Sequence, residues 1–206
     1  MSLQFPTVSP FELVHVALDL ETTGLEQGRD TIIEVGAVKF LGEEVIDTFQ
    51  SLVNPGRSIP EFVQRLTGIA DNHVKRAPYF NSISDRLLDF IEDHPVIGHN
   101  VSFDLRFLSS HGMPLSNTSY DTWDLASFLL PRSRQYSLGF LSDFFEVSHV
   151  DRHRALGDAR ATYQVFVKLL RRAEALDEGL LAHILNLSNR SRWSIAPILA
   201  GLQSAK

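Results

Sequence analysis

Val14-His15-Val16-Ala17-Leu18-Asp19-Leu20-Glu21-Thr22-Thr23-Gly24 is an apolar run, rich in Val and Leu, that stops at Thr-Thr-Gly. The pattern predicts a buried β-strand ending in a turn. Side chains alternate across a strand, so Asp19 and Glu21 project from one face, one pleat apart. Two carboxylates that close repel each other, and burial makes the charged forms dearer still. A hard divalent cation with oxygen ligands, Mg²⁺ or Mn²⁺, relieves both effects. A solvated strand end that carries two acids is the other reading, and the pair by itself does not separate the two.

The rest of the chain sets bounds on what such a strand can belong to. Its 206 residues suffice for one generous domain, and 44% hydrophobic with 21% charged residues is ordinary for a soluble globular protein. No cysteine is present, which excludes disulfides, thiolate zinc sites and cysteine nucleophiles. No apolar stretch is long enough for a transmembrane helix, and Met1-Ser2-Leu3-Gln4 lacks the zones of a signal peptide. A cytoplasmic protein with no membrane partner is the expectation. The net charge of −6 argues against a broad electrostatic grip on nucleic acid. It leaves room for a nuclease, because site carboxylates neutralised by bound ions contribute to that charge.

Outward from the first strand, Thr31 to Phe40 reads as a second strand, and Leu41-Gly42-Glu43 as a hairpin turn into a third, Glu44 to Val53. Pro60 to Thr67 and Asn81 to Glu92 read as helices. Val96-Ile97-Gly98 suits a buried strand, after which Asn100 caps a helix carrying Phe103, Leu105, Phe107 and Leu108. Thr118 to Asp121 is a brief strand. Helices follow near Trp123 to Leu130, Leu138 to Phe145 and Asp158 to Leu176. Strands first, then alternating helices and strands, imply a mixed α/β sheet. Residues 1–12 read as an N-terminal extension, 13–175 as the main domain, and 176–206 as a helical appendage or the start of a linker. Within that tail, Arg190, Arg192 and Trp193 suit a solvated linker better than a nucleic-acid contact.

Two further clusters carry acids. In His99-Asn100-Val101-Ser102-Phe103-Asp104, Asp104 falls in the first turns of a helix, where the dipole favours a carboxylate. In His153-Arg154-Ala155-Leu156-Gly157-Asp158, a loop histidine precedes an aspartate at the mouth of the last long helix. Taken singly, Asp158 is also a common helix N-terminal acid, and His153 an exposed loop histidine.

Together the order is D-x-E at a strand end, D in a strand–helix corner, then H-x4-D entering a helix. With Thr22-Thr23-Gly24, Ile32 to Val38 and Leu66-Thr67-Gly68-Ile69, this resembles the DEDDh subgroup of the DnaQ-like 3′→5′ exonucleases over residues 13 to 172. Where the sister DEDDy subgroup places a tyrosine this chain has Arg154, and Tyr163 lies beyond Asp158, so the histidine version is the better match.

The resemblance implies a ribonuclease H-like fold, a five-stranded mixed sheet flanked by helices. It implies two ions, Mg²⁺ or Mn²⁺, with Asp19, Glu21 and Asp158 on the catalytic metal, and Asp19 and Asp104 on the second, Asp104 through water. Ions roughly 3.5–4 Å apart can stabilise both the attacking and the leaving oxygen of a phosphodiester. His153 would be the general base, a role that suits an imidazole near its ordinary pKa. The expected reaction releases nucleoside 5′-monophosphates from single-stranded or frayed 3′ ends, DNA more than RNA. Thr22, Thr23, Gly24 and Leu25 would frame the terminal nucleotide, with Leu25 beside the last base, although Thr-Thr-Gly also serves simply as a turn. His99 stands between a substrate-side role and a hydrogen-bonded structural one. The expected partner is a single-stranded 3′ end, in the context of a polymerase or of a fused DinG-like helicase. The alternative of another class is a non-catalytic nucleic-acid-binding or interaction module on the same fold.

Overall fold

A computed structural model of the chain describes residues 8–191 and 195–204, so Arg192 and Trp193 lie outside the described residues. Five strands form one sheet in the order β3-β2-β1-β4-β5. β1 (Val14–Thr22), β2 (Ile32–Leu41) and β3 (Glu44–Leu52) are an antiparallel meander, whereas β4 (Val96–Gly98) and β5 (Ser119–Asp121) run parallel to β1. The mixed α/β sheet read from the sequence is the fold observed.

The helices are α1 (Glu61–Thr67), α2 (Asp71–Val74), α3 (Ser84–Ile91), α4 (Val101–Ser110), α5 (Thr122–Leu129), α6 (Leu138–Phe144), α7 (Ala155–Glu174), α8 (Glu178–Ser191) and α9 (Ala196–Ser204). β1 has neighbours on both edges and packing on both faces, which is why its apolar run is nearly continuous. Its pleat sorts the core in two. Val16, Leu18 and Leu20 meet Leu87 and Ile91 of α3 and Phe107 and Leu108 of α4. Ala17 joins Val165, Phe166 and Leu169 of α7 on the opposite face. Asp19 and Glu21 share the parity of Ala17, so the pleat aims them at the α7 side.

α7 lies against β1 and β2 so closely that a Cβ on Gly36 would fall inside the Ala155–Leu156 peptide. The helix starts at Ala155, one turn before the Asp158 start expected from the sequence. A cap from another strand explains the difference: the Glu34 carboxylate of β2 accepts from the Ala155 amide at 3.0 Å. The helix expected from Asn81 is likewise split, a 3₁₀ turn at Phe80–Ser82 preceding α3, where the Ser84 hydroxyl donates to the Asn81 carbonyl.

Of the two readings of the tail, helical appendage or start of a linker, the described residues past 175 have the helical form. Leu181, Ile184 and Leu185 of α8 and Ile198, Leu199 and Leu202 of α9 join the apolar cluster around α7, so that core continues past residue 175. Gly201 meets the Val8 carbonyl so closely that an added Cβ would stand 2.7 Å from it, which brings the N-terminal extension onto α9. The polar stretch Ser188 to Ser194 suggests a linker because the apolar residues beyond it find their partners only in three dimensions.

Candidate active site

At the end of β1, carboxylate oxygens of Asp19, Glu21 and Asp158 lie within 4.8 Å of one another. β1 supplies two of them through its pleat, and the first turn of α7 supplies the third. Asp104, buried in the first turn of α4, stands beside this group and not within it; its Oδ1 accepts from the Leu20 amide at 3.1 Å.

The electrostatics follow from that crowding. Burial, then the charges of Asp104, Asp158 and Glu21, hold the Asp19 carboxyl well above the usual carboxylate range. Burial first, then Asp158 and Glu34, push Glu21 up to about 8, against the opposing pull of Arg154. Asp104 is raised as well, by burial, despite its backbone hydrogen bonds. Arg154 offsets the cluster only in part, because its Nη2 and Nε bond to Glu34 at 2.7 and 3.0 Å. A close group of oxygen donors whose crowding its neighbours relieve only in part is the donor set that a hard divalent ion fits.

Other residues fix this geometry. Fully buried Glu34 takes four hydrogen bonds, two from Arg154, one from the Ala155 amide and one from Gln50 at 3.0 Å, and thereby ties the start of α7 to the sheet. Asn100 occupies the N-cap position of α4 at φ +65, yet its side chain makes no capping bond. Asp121 of β5 does that work, accepting from the Asn100, Val101 and Trp123 amides at 3.1, 2.9 and 2.8 Å and so capping α4 and α5 together. The Thr22 hydroxyl donates to the Gly24 carbonyl (2.6 Å), and that of Thr23 donates to Asp30 (3.1 Å) while accepting from the Thr31 amide (3.0 Å). These bonds spend both hydroxyls on shaping the turn, and Leu25 stands 79% exposed at its tip. His99 is tied to Thr122 at 2.9 Å; burial lowers its pKa to about 4, and the nearby charge of Asp158 opposes that shift. The imidazole is therefore neutral at physiological pH.

The two histidines ahead of α7 sit in different surroundings, and His153 is the loop histidine that the sequence suggests. His153 is exposed, in a turn at φ +60, and makes no hydrogen bond to Asp158. His149 does, its Nε2 lying 2.5 Å from Asp158 Oδ1 with the side chain 4% exposed. The H-x4-D spacing drew attention to His153. The signal for His149 was a second histidine in the same loop, and the loop path that seats it could not be read from spacing.

The exonuclease family named RNase T matches residues 16–166, a stretch that contains this whole site. The chain belongs to that exonuclease family. Among its relatives, the PolC-type DNA polymerase III of Caldanaerobacter subterraneus subsp. tengcongensis is 38% identical over 165 residues, covering 78% of this chain and 12% of that protein. The 3′-5′ exonuclease DinG of Staphylococcus aureus strain MRSA252 is 30% identical over 190 residues, covering 89% of this chain and 21% of its own length. This exonuclease domain thus spans about an eighth and a fifth of those two proteins. Among solved structures, the nuclease domain of 3′hExo, a DEDDh family member bound to rAMP, superposes with a TM-score of 0.69 at 18% identity, covering 80% of this chain and 94% of that one. That likeness places the sheet and flanking helices in the ribonuclease H-like fold. Among the described residues no helix is long and apolar enough to cross a membrane.

Proposed function

We propose that the domain removes nucleotides one at a time from the 3′ end of a single-stranded or frayed strand, releasing nucleoside 5′-monophosphates. The observation that carries this is the convergence of Asp19, Glu21 and Asp158 within 4.8 Å, at the mouth of a turn with an exposed apolar tip. Asp19, Glu21 and Asp158 would hold one divalent ion, with Asp19 and Asp104 serving a second. Mg²⁺ or Mn²⁺ bound there would neutralise the phosphate and the charge that builds on the attacking and leaving oxygens.

The chain's own groups supply the remainder. The Thr22–Gly24 turn, braced by Asp30, seats the terminal sugar through its backbone, and Leu25 packs against the last base. His153 accepts a proton from the attacking water as that oxygen bonds to the terminal phosphorus, and the bond to the preceding 3′ oxygen breaks. Exposure leaves this imidazole free to reach a bound strand. Neutral His99 keeps the strand–helix corner rigid without adding positive charge. A DNA strand, in the setting of a polymerase, is the substrate that the PolC-type relative's name favours, and a DinG-type protein is the other setting.

Digestion of 3′-labelled and 5′-labelled DNA and RNA single strands, with Mg²⁺ or Mn²⁺ and with EDTA as control, tests the reading. Stepwise shortening from the 3′ end, lost in Asp19→Asn and slowed about 10²–10⁴-fold in His153→Ala, is the expected result. A parent protein that binds the strand as tightly as Asp19→Asn, both leaving it intact, refutes it in favour of a binding module.

A further inference from the structure

The α6–α7 loop carries two histidines four residues apart, and the fold gives them opposite surroundings. His153 is open to solvent. His149 is enclosed between α6 and α7, with Nε2 on Asp158 Oδ1 at 2.5 Å and Nδ1 3.4 Å from the hydroxyl of Ser142. Ser142 is itself fully buried and anchored to the Leu138 carbonyl at 2.8 Å. The imidazole is held on both sides, by a helix that packs against α7 and by the acid it contacts.

We infer that His149 is a positioning residue: its Nε2–H fixes the Asp158 carboxylate in the rotamer that faces Asp19 and Glu21. A carboxylate in a first helical turn can adopt several χ1 and χ2 settings, and only some bring its oxygens to the end of β1. A hydrogen bond from a buried, tethered donor selects one setting and leaves the remaining lone pairs of the acid for a cation. Groups that orient a ligand in this way commonly alter metal affinity 10–100-fold when removed. The ring's Nε2 is engaged with Asp158, which divides the labour: His149 holds the acid and His153 stays free. The inference rests on the metal reading of the carboxylate cluster given above.

The experiment is Mn²⁺ titration followed by electron paramagnetic resonance without nucleic acid, on the parent and on His149→Leu, His149→Gln, His153→Ala and Asp19→Asn. His149→Leu keeps the bulk and lacks the donor; it should weaken Mn²⁺ binding about 10–100-fold. His149→Gln restores an N–H near the Nε2 position and should recover most of that loss, which a role in packing alone would not produce. His153→Ala should bind Mn²⁺ like the parent. Urea unfolding of each variant identifies any that fail to fold, and the Gln-against-Leu comparison is then made at equal folded fraction. If His149→Leu binds Mn²⁺ as the parent does while Asp19→Asn does not, the positioning role is refuted and the metal reading stands. If Asp19→Asn also binds like the parent, the ions are elsewhere and both fall.

Discussion

Replacing Glu34 by alanine is the perturbation that should expose how the site is held. Its carboxylate accepts from Arg154 Nη2 and Nε at 2.7 and 3.0 Å, from the Ala155 amide at 3.0 Å and from Gln50 at 3.0 Å, and it has no exposed surface. Alanine leaves the first amide of α7 buried without an acceptor, which costs about 1–3 kcal/mol. Breaking a buried ion pair costs about 3–5 kcal/mol when the surviving charge stays buried. The Arg154 side chain is 39% exposed and can rehydrate, so the pair contributes toward the low end of surface and buried values. Losing one negative charge beside Asp19 and Glu21 offsets part of the rest. The expected total is about 3 kcal/mol, or a urea midpoint lower by about 1.5 M at an m-value of about 2 kcal/mol/M. Because Asp158 rides on the helix that Glu34 anchors, 3′-end digestion should fall about 100-fold, the usual effect of a 1 Å misplacement. Glu34→Gln keeps an acceptor for Ala155 and should lose roughly half as much stability. Circular dichroism during urea unfolding and a labelled-strand assay give the two readouts. A Glu34→Ala protein within about 0.5 kcal/mol of the parent, with parent activity, would show that α7 is placed by its apolar face alone.

Further outcomes follow from the same geometry. Gly36→Ala puts a methyl group into the Ala155–Leu156 backbone, which cannot yield as a side-chain end could, so the urea midpoint should drop at least as far as in Glu34→Ala. Glu21 sits at about 8 in the fold against its ordinary 4.5, so the folded protein holds a proton that the unfolded chain releases. Stability in EDTA should therefore fall as pH rises through the upper part of that window, from about 6.5 to about 8, and Glu21→Gln should flatten the slope. Added Mg²⁺ should protect increasingly across the same range; a slope unchanged by both treatments counts against the cluster as its source. His15, stacked on Phe40 at 5.6 Å with Nδ1 lacking a partner, is lowered by burial to about 4. Its folded pKa lies below the unfolded 6.5, so stability is lost as pH falls from about 6.5 to about 4. His15→Phe should thus raise the urea midpoint more at pH 5 than at pH 7, and equal gains at both would refute that assignment.

Much of this architecture follows from local pattern. The period-two alternation of β1 places Asp19 and Glu21 on one face whatever the rest of the chain does, and the hairpin residues around Gly42 set β2 beside β3. The order of acids and the loop histidine, compared with a known family, indicated the fold and the chemistry to expect. The start of α7 could not be read in this way, because the acceptor that lets it begin at Ala155 is 121 residues away in sequence. The same holds for Asp121, which caps α4 from another strand while Asn100 only occupies the cap position.

The sequence by itself determined that two acids stand one pleat apart at a strand end and that further acids follow at helix starts, since those are consequences of short-range backbone geometry. Tertiary structure alone decided which groups meet. Glu34 reaches α7, Ile198 and Leu199 reach the core past a polar stretch, and His149, not His153, lies against Asp158. Those contacts depend on the path of a loop and the packing of helices on a sheet, and such long-range closures leave no periodic trace in the residues that make them.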